Sequence, residues 1–415
     1  MSISPCHISR FSPEFQLACA CCRVTPSEGD WVSISRLLPQ IDVPAFLDLV
    51  IKRHWIGPLV HSHFRRLPAE SLPPGLMEAL ATEARRNAVR ALRAVRTHVL
   101  LARWLAEARI EWVPFKGISV ARPYYGDITL RHVNDLDVLV RPASLDGLRQ
   151  VLSDHGFTWN PLLTNWDLAG RGPRHREFLM RFYIEELHSS ADLGQIDVHW
   201  KLTEGAGFFN LSLDQVLEGG DRLALEGVDL RVMNPVDLLL YLCEHGGRHC
   251  WARLKWLADL PQLLEWQVWD WPAVMRRASD IRCTQSLVLA LVLAQELFGW
   301  RAPAPLQRIL REQRTMDMLC SIVRTALFTP NEVLSGADRL PLGWLLRSQL
   351  CRALLGNWRA AYSVVWNLSL SPNDLRVVAL PDRYFALYRI ARPFLFAFRR
   401  LTVRKTSGAT PHGEG

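Results

Sequence analysis

Two carboxylates two positions apart, Asp135 and Asp137, sit in an apolar run that continues Val138, Leu139, Val140. Such a run forms a strand, and strand side chains alternate faces. Both carboxylates therefore project one way while Leu136, Val138 and Val140 project into a core. Like charges on one face of a buried strand repel, and a divalent cation is the readiest way to hold them together. Upstream, Ile110 to Pro114 reads as a short strand running into Phe115-Lys116-Gly117-Ile118-Ser119. A strand, then Gly, then a helix start lets backbone N–H groups face a phosphate, so Lys116, Gly117 and Ser119 are candidates for a phosphate cradle. Arg131, four residues before Asp135, adds a fixed cation beside the acids. Cradle, cation and paired carboxylates suggest a metal–nucleotide site.

Elements on both sides must position these groups. Residues 1–40 show no clear periodicity and are expected to be a poorly ordered N-terminus, with Cys19, Cys21 and Cys22 lacking a second pair at zinc-site spacing. Residues 41–109 read as helical: Phe46, Leu49 and Val50 share a face, Gly57-Pro58 breaks the pattern, and a long helix follows from about Gly75 to Ala108. Ala88, Leu92, Val95, Val99, Ala102 and Ala106 are its expected buried stripe, and the surrounding arginines its wet face.

The acidic module spans 110–230. Ser144 is placed to cap a helix that stops at Gly156, Pro161 to Arg176 reads as loop, and Phe178 to Leu187 is β-like. After a turn at Asp192-Leu193-Gly194, a strand carries Asp197 and His199 on one face. Residues 231–400 read as helical, opening at Asn234-Pro235, with helices expected over 306–327 and 342–368. His245 and His249, four apart, could share a metal, although no carboxylate stands at zinc-protease spacing. From Asp382 to Glu414 no acid intervenes, and arginines gather beside Phe394, Phe396 and Phe398. A basic aromatic helix of that kind can lie on an anionic membrane surface or pack on its own domain. Residues 401–415 are expected to be a disordered tail.

The whole is α+β in class: a small mixed sheet flanked by N-terminal helices and a C-terminal helical domain. Its 415 residues are 49% hydrophobic with 16 Trp, which excludes a disordered chain. The net charge of +8 comes almost wholly from arginine and suits polyphosphate, nucleic acid or anionic membrane, nucleic acid being the less favoured. The nine cysteines form no regular framework, so a reducing, cytoplasmic setting is expected.

Lys116-Gly117, Tyr124, Arg131 and Asp135-Leu136-Asp137-Val138-Leu139-Val140 resemble the signature of an uncharacterised bacterial nucleotidyltransferase family of the polymerase-β-like superfamily. The stretch Ile196-Asp197-Val198-His199-Trp200 and the block from His245 through Trp251, Arg253 and Trp256 to Asp259 resemble that family too. The resemblance implies that Asp135, Asp137 and Asp197 hold Mg²⁺ or Mn²⁺, and that the metals bind a nucleoside triphosphate, expected to be ATP. It implies that a helical domain closes over the nucleotide, with Lys255 as a phosphate or acceptor contact; the alternative for Lys255 is an ion pair with Asp259. Ile118 stands where the superfamily usually has a second small residue, which bears on Ser119. The function implied is transfer of a nucleoside monophosphate to an unknown acceptor. The alternatives are a D-x-D glycosyltransferase, against which the Lys-Gly turn and the late acidic strand speak, and a non-catalytic nucleotide-binding module.

Overall fold

A mixed five-stranded sheet organises the computed structural model, which describes residues 11–161, 166–203, 209–311, 316–329, 350–351, 354, 372–392 and 394–395. The strands β1 (Trp112–Pro114), β2 (Leu136–Val140), β3 (Thr158–Trp159), β4 (Glu185–Ser190) and β5 (Gly194–His199) lie in the order β1-β2-β5-β4-β3. β2 and β5 are parallel, and the other neighbours are antiparallel. With the helices on both sides, this is the expected α+β class.

On one face Leu136, Val138, Val140, Ile196 and Val198 pack against Ala91, Leu101 and Leu105 of α5 (Leu76–Glu107) and Leu148 and Leu152 of α7 (Leu145–Asp154). On the other, Val113, Phe115 and Leu139 join a larger core built with Leu238, Tyr241 and the helices that follow.

Of the stripe expected on α5, Val95 is buried with Val99 and Ala102 half-buried beside it, but the rest is displaced. Leu92 is 61% exposed and Ala106 also faces solvent, while the buried row includes Asn87, Ala91, Ala94, Thr97, His98, Leu101 and Leu105. Hydropathy hides this face because three of its members are polar and bury by bonding to backbone. Asn87 donates to Thr129 O and Arg131 O, Thr97 to Leu193 O, and His98 Nδ1 meets Ala94 O.

Other expectations around the sheet also change. Ser144 makes no capping bond, because a 3₁₀ turn over Pro142–Ser144 already leads into α7. Residues expected as loop and then strand instead form a 3₁₀ segment, Trp166–Arg171, and α8 (Pro173–Phe182), which opens with Pro in its first turn, where no N–H is needed. A hairpin of β6 (Asp221–Leu225) and β7 (Val228–Val232) was not anticipated.

Residues 11–40, expected to be poorly ordered, form α1 (Pro13–Ala20) and α2 (Glu28–Leu37), the latter opened by a Ser27–Asp30 capping box. Phe15, Leu17, Cys19, Cys21, Cys22 and Ile34 are buried in the larger core. The cysteines act there as small apolar residues, and burial pushes their thiols up, away from metal-ligating thiolate. Next come α3 (Val43–Leu47), a π-helical turn over Asp48–Arg53, and α4 (Gly57–Phe64).

The second half contributes α10 (Pro235–Arg248), capped by Asn234, then α11 (Leu254–Leu257), α12 (Asp259–Trp266), α13 (Trp271–Asp280), α14 (Thr284–Phe298), α15 (Ala304–Arg311) and α16 (Met316–Phe328). The expected helix at 342–368 lies almost entirely outside the described residues, as do the 401–415 tail and most of the basic aromatic stretch ending near Phe398. Among the described residues no helix is long and apolar enough to cross a membrane.

Candidate active site

The register of β2 against β5 brings the acids together. Asp137 lies directly beside Asp197, Leu136 beside Ile196 and Val138 beside Val198. Facing neighbours share a face, so Asp137, Asp197 and His199 stand on the side away from α5, with Asp135 one residue ahead of β2. On the next strand Glu185 is paired with His199. The two adjacent parallel strands thus deliver two aspartates, with a third at the entry to β2.

Lys116 and His199 both reach Asp137. Lys116 Nζ lies 2.6 Å from Asp137 Oδ1, and His199 Nε2 lies 3.2 Å from the same oxygen and 2.9 Å from Glu185 Oε2. Burial alone would raise the Asp137 carboxyl. Lys116 and His199 outweigh it and hold the group well below the usual carboxylate range. His199 is raised in turn, since its bonds to Asp137 and Glu185 overcome the cost of burial. Asp197 has no such partner; Gln195 Nε2 donates to its Oδ1 at 2.8 Å. Burial, then the charges of Asp135 and Asp137, push Asp197 up to about 8. Burial and Asp137 likewise raise Asp135.

Other predicted residues fall elsewhere. Arg131 does not sit free beside the acids: its Nε and Nη2 donate to Asp259 Oδ1 and Oδ2 at 2.8 and 2.9 Å, and the Tyr125 hydroxyl donates to Oδ1 at 2.8 Å. This buried clamp ties the loop before β2 to α12. Ser119 is buried, and its hydroxyl donates to Pro114 O at 2.8 Å rather than facing a ligand. Gly117 takes the left-handed φ of +52° that the turn requires, and α6 behind it (Ile118–Val120) is only three residues long. The N–H groups of Ser119 and Val120 are spent inside that turn, on Lys116 O and Gly117 O. The expected phosphate cradle thus lacks both its hydroxyl and two of its amides.

Lys255 does not pair with Asp259. Its ammonium lies 4.7 Å from the ring centroid of Trp55, and among the described residues it has no hydrogen-bond partner. Burial, then Arg131, pull it down to about 8, against attraction from Asp135. Trp55 is itself unusual, with φ at +58°, Arg253 3.7 Å over its ring and His132 stacked at 5.1 Å. On α10, His245 and His249 have ring centroids 4.7 Å apart and both pack on Trp256. Burial, then the neighbouring Lys116, keep His245 well below its ordinary value and hence uncharged.

Sequence reasoning missed Trp55, the part played by Asn87 and the unpartnered Tyr241 hydroxyl, which is buried near Lys116. A lone Asn or Trp in a helical segment carries no signal of what it will touch.

The donor set suits a hard divalent cation: the carboxylates of Asp137 and Asp197 lie side by side on one face of adjacent strands, and burial followed by the charge of neighbouring acids raises Asp135 and Asp197. As the side chains stand, no group of three or more His, Cys, Asp or Glu among the described residues is drawn into metal-holding geometry. Asp137 Oδ1 is instead taken up by the Lys116 ammonium.

The sheet thus presents Asp137 and Asp197 side by side, with Asp135 one residue ahead of β2, towards a helical layer. The uncharacterised nucleotidyltransferase family matches residues 39–299, and the chain belongs to that family. No curated protein matches it.

Proposed function

We propose that the protein transfers a nucleoside monophosphate from a nucleoside triphosphate to an acceptor hydroxyl, in a Mg²⁺- or Mn²⁺-dependent reaction. The observation that carries this is the side-by-side pairing of Asp137 and Asp197 on one sheet face, with Asp135 at the strand's entry. Asp135, Asp137 and Asp197 would hold the metal, which when bound lowers the charge on the reacting phosphates. The acceptor oxygen attacks the α-phosphorus, the bond to the bridging oxygen breaks, and pyrophosphate leaves. Asp197, once metal binding has displaced the proton that it holds in the metal-free site, would be the carboxylate placed to help deprotonate the acceptor. Lys255, an ammonium without an acid partner, is suited to the donor's phosphates.

A non-catalytic nucleotide-binding reading has one observation on its side, the Lys116–Asp137 ion pair, which fills the position an ion would need. Incubation with each α-labelled triphosphate, Mg²⁺ or Mn²⁺ and cell extract separates the two. Transfer of label to an extract component, lost in Asp137→Asn while the fold is kept, supports the enzyme. Labelling undiminished in that variant overturns the site assignment. Nucleotide and metal binding with no labelled product from any triphosphate leaves the binding module.

A further inference from the structure

The ion pair at the centre of the site bears on how the site is loaded. Lys116 is one of only five lysines in the chain. Its ammonium sits 2.6 Å from Asp137 Oδ1, an oxygen that also receives His199 Nε2 at 3.2 Å. Both charged side chains of the pair are largely buried, at 16% and 6% exposure, so the ammonium is no loose surface partner. It is placed by the backbone: Gly117, next to it, has a left-handed φ, and the turn behind is closed by Ser119 N–H to Lys116 O and Val120 N–H to Gly117 O. Asp135 and Asp197, meanwhile, have no cation within ion-pairing distance among the described residues.

Resting on the nucleotidyl-transfer reading, we propose that Lys116 is the counter-ion of Asp137 in the metal-free form of the site, which a divalent cation must displace and which the donor's phosphates draw away. A free cation entering alone would have to approach Asp137 against a fixed ammonium, or break the 2.6 Å ion pair that holds that buried ammonium. Both cost free energy. A cation arriving with a triphosphate brings its own acid partner for Lys116, so the ammonium trades a carboxylate for a phosphate and is never left unpaired. Metal and donor binding are then positively coupled through this one side chain, and by linkage each tightens the other equally. Lys116 is in this sense a positioning residue for the metal and a contact for the donor, roles it takes in turn.

The test is Mn²⁺ binding, read by electron paramagnetic resonance of the free ion, with and without an α,β-methylene triphosphate that cannot react. Wild type, Lys116→Met and Lys116→Arg are compared, each checked for cooperative unfolding. Wild type should bind Mn²⁺ at least about tenfold more tightly when the analogue is present, the ordinary scale of such coupling. Lys116→Met should bind Mn²⁺ alone about tenfold more tightly than wild type and lose most of the coupling. Lys116→Arg, which keeps the charge, should stay near wild type. Lys116→Met binding free Mn²⁺ no more tightly than wild type overturns the proposal while leaving nucleotidyl transfer intact. Absence of Mn²⁺ binding in every protein overturns that reading and this one together. Should Lys116→Met fail to fold, Lys116→Gln replaces it; should both fail, wild type decides, and an analogue that leaves Mn²⁺ affinity unchanged overturns the proposal.

Discussion

At the scale of single residues, the site separates its acids by environment. Asp137 and Glu185 keep their charge because Lys116 and His199 offset the cost of burial, while burial and then the charges of Asp135 and Asp137 push Asp197 up to about 8. The consequence for stability has a definite sign. An unfolded Asp titrates near about 3.9. Between about pH 4 and about 8 the folded chain therefore binds a proton at Asp197 that the unfolded chain has released. Stability falls as pH rises through that window and levels off above it. Thermal unfolding in chelator should give a lower Tm at pH 8 than at pH 5.5, and Asp197→Asn should flatten the slope. A wild-type slope that survives unchanged in Asp197→Asn would assign it to another group. The strand pattern of the D-x-D run, and hence the shared direction of Asp137 and its neighbours, is legible from residue types alone. Which acid is charged is not, because that depends on Lys116 and Glu185 approaching from other strands and turns.

At the scale of elements, Arg131 shows how a charged residue close in sequence to the acids can belong to a different task. It lies four residues from Asp135, yet its guanidinium is spent on Asp259 of α12, 128 positions away, with Tyr125 on the same carboxylate. Nothing local announces that partner. Asp259 is fully buried, so removing its cation leaves an uncompensated charge. Arg131→Met should cost about 3–5 kcal/mol in urea unfolding, and Arg131→Met with Asp259→Leu should recover a good part of it. A loss under about 1 kcal/mol would mean that the clamp contributes little and that the arginine is held for another purpose. The same limit explains the displaced stripe of α5. Asn87 looks like a wet-face residue, but it caps the loop carrying Thr129 and Arg131 and receives Val133 N–H. The strands carrying Asp137 and Asp197 and the Asn234-Pro235 start of α10 were readable. The segment 161–187 was not, because a proline read there as a breaker opens a helix instead.

For the whole molecule, one hydrophobic core joins the first helices to those after residue 235. Phe15, Leu17 and Ile34 lie in it beside Leu239, Leu260 and Leu287. Arg23 adds bonds to Glu265 and to Phe298 O, and Gln262 Nε2 donates to Cys22 O. Burying each such apolar side chain is worth about 1.5–3 kcal/mol, against a total stability of about 5–15 kcal/mol for a typical domain. Deletion of residues 1–40 should therefore abolish cooperative unfolding, measured by circular dichroism. A truncated chain with an unchanged melting curve would show this segment to be dispensable.

The Arg131–Asp259 clamp also sets a clock. Its two halves are separated by 128 positions, and the strand-bearing Asp137 and Asp197 both precede the second half. During synthesis at about 5–20 residues per second, Asp259 emerges some 6–25 s after Arg131. Throughout that interval the loop leading into Asp135 has no anchor on α12. A half-made chain can pair its strands and bring its acids together without yet holding them firmly, so the last part of the candidate site to be secured waits on translation of the helical half.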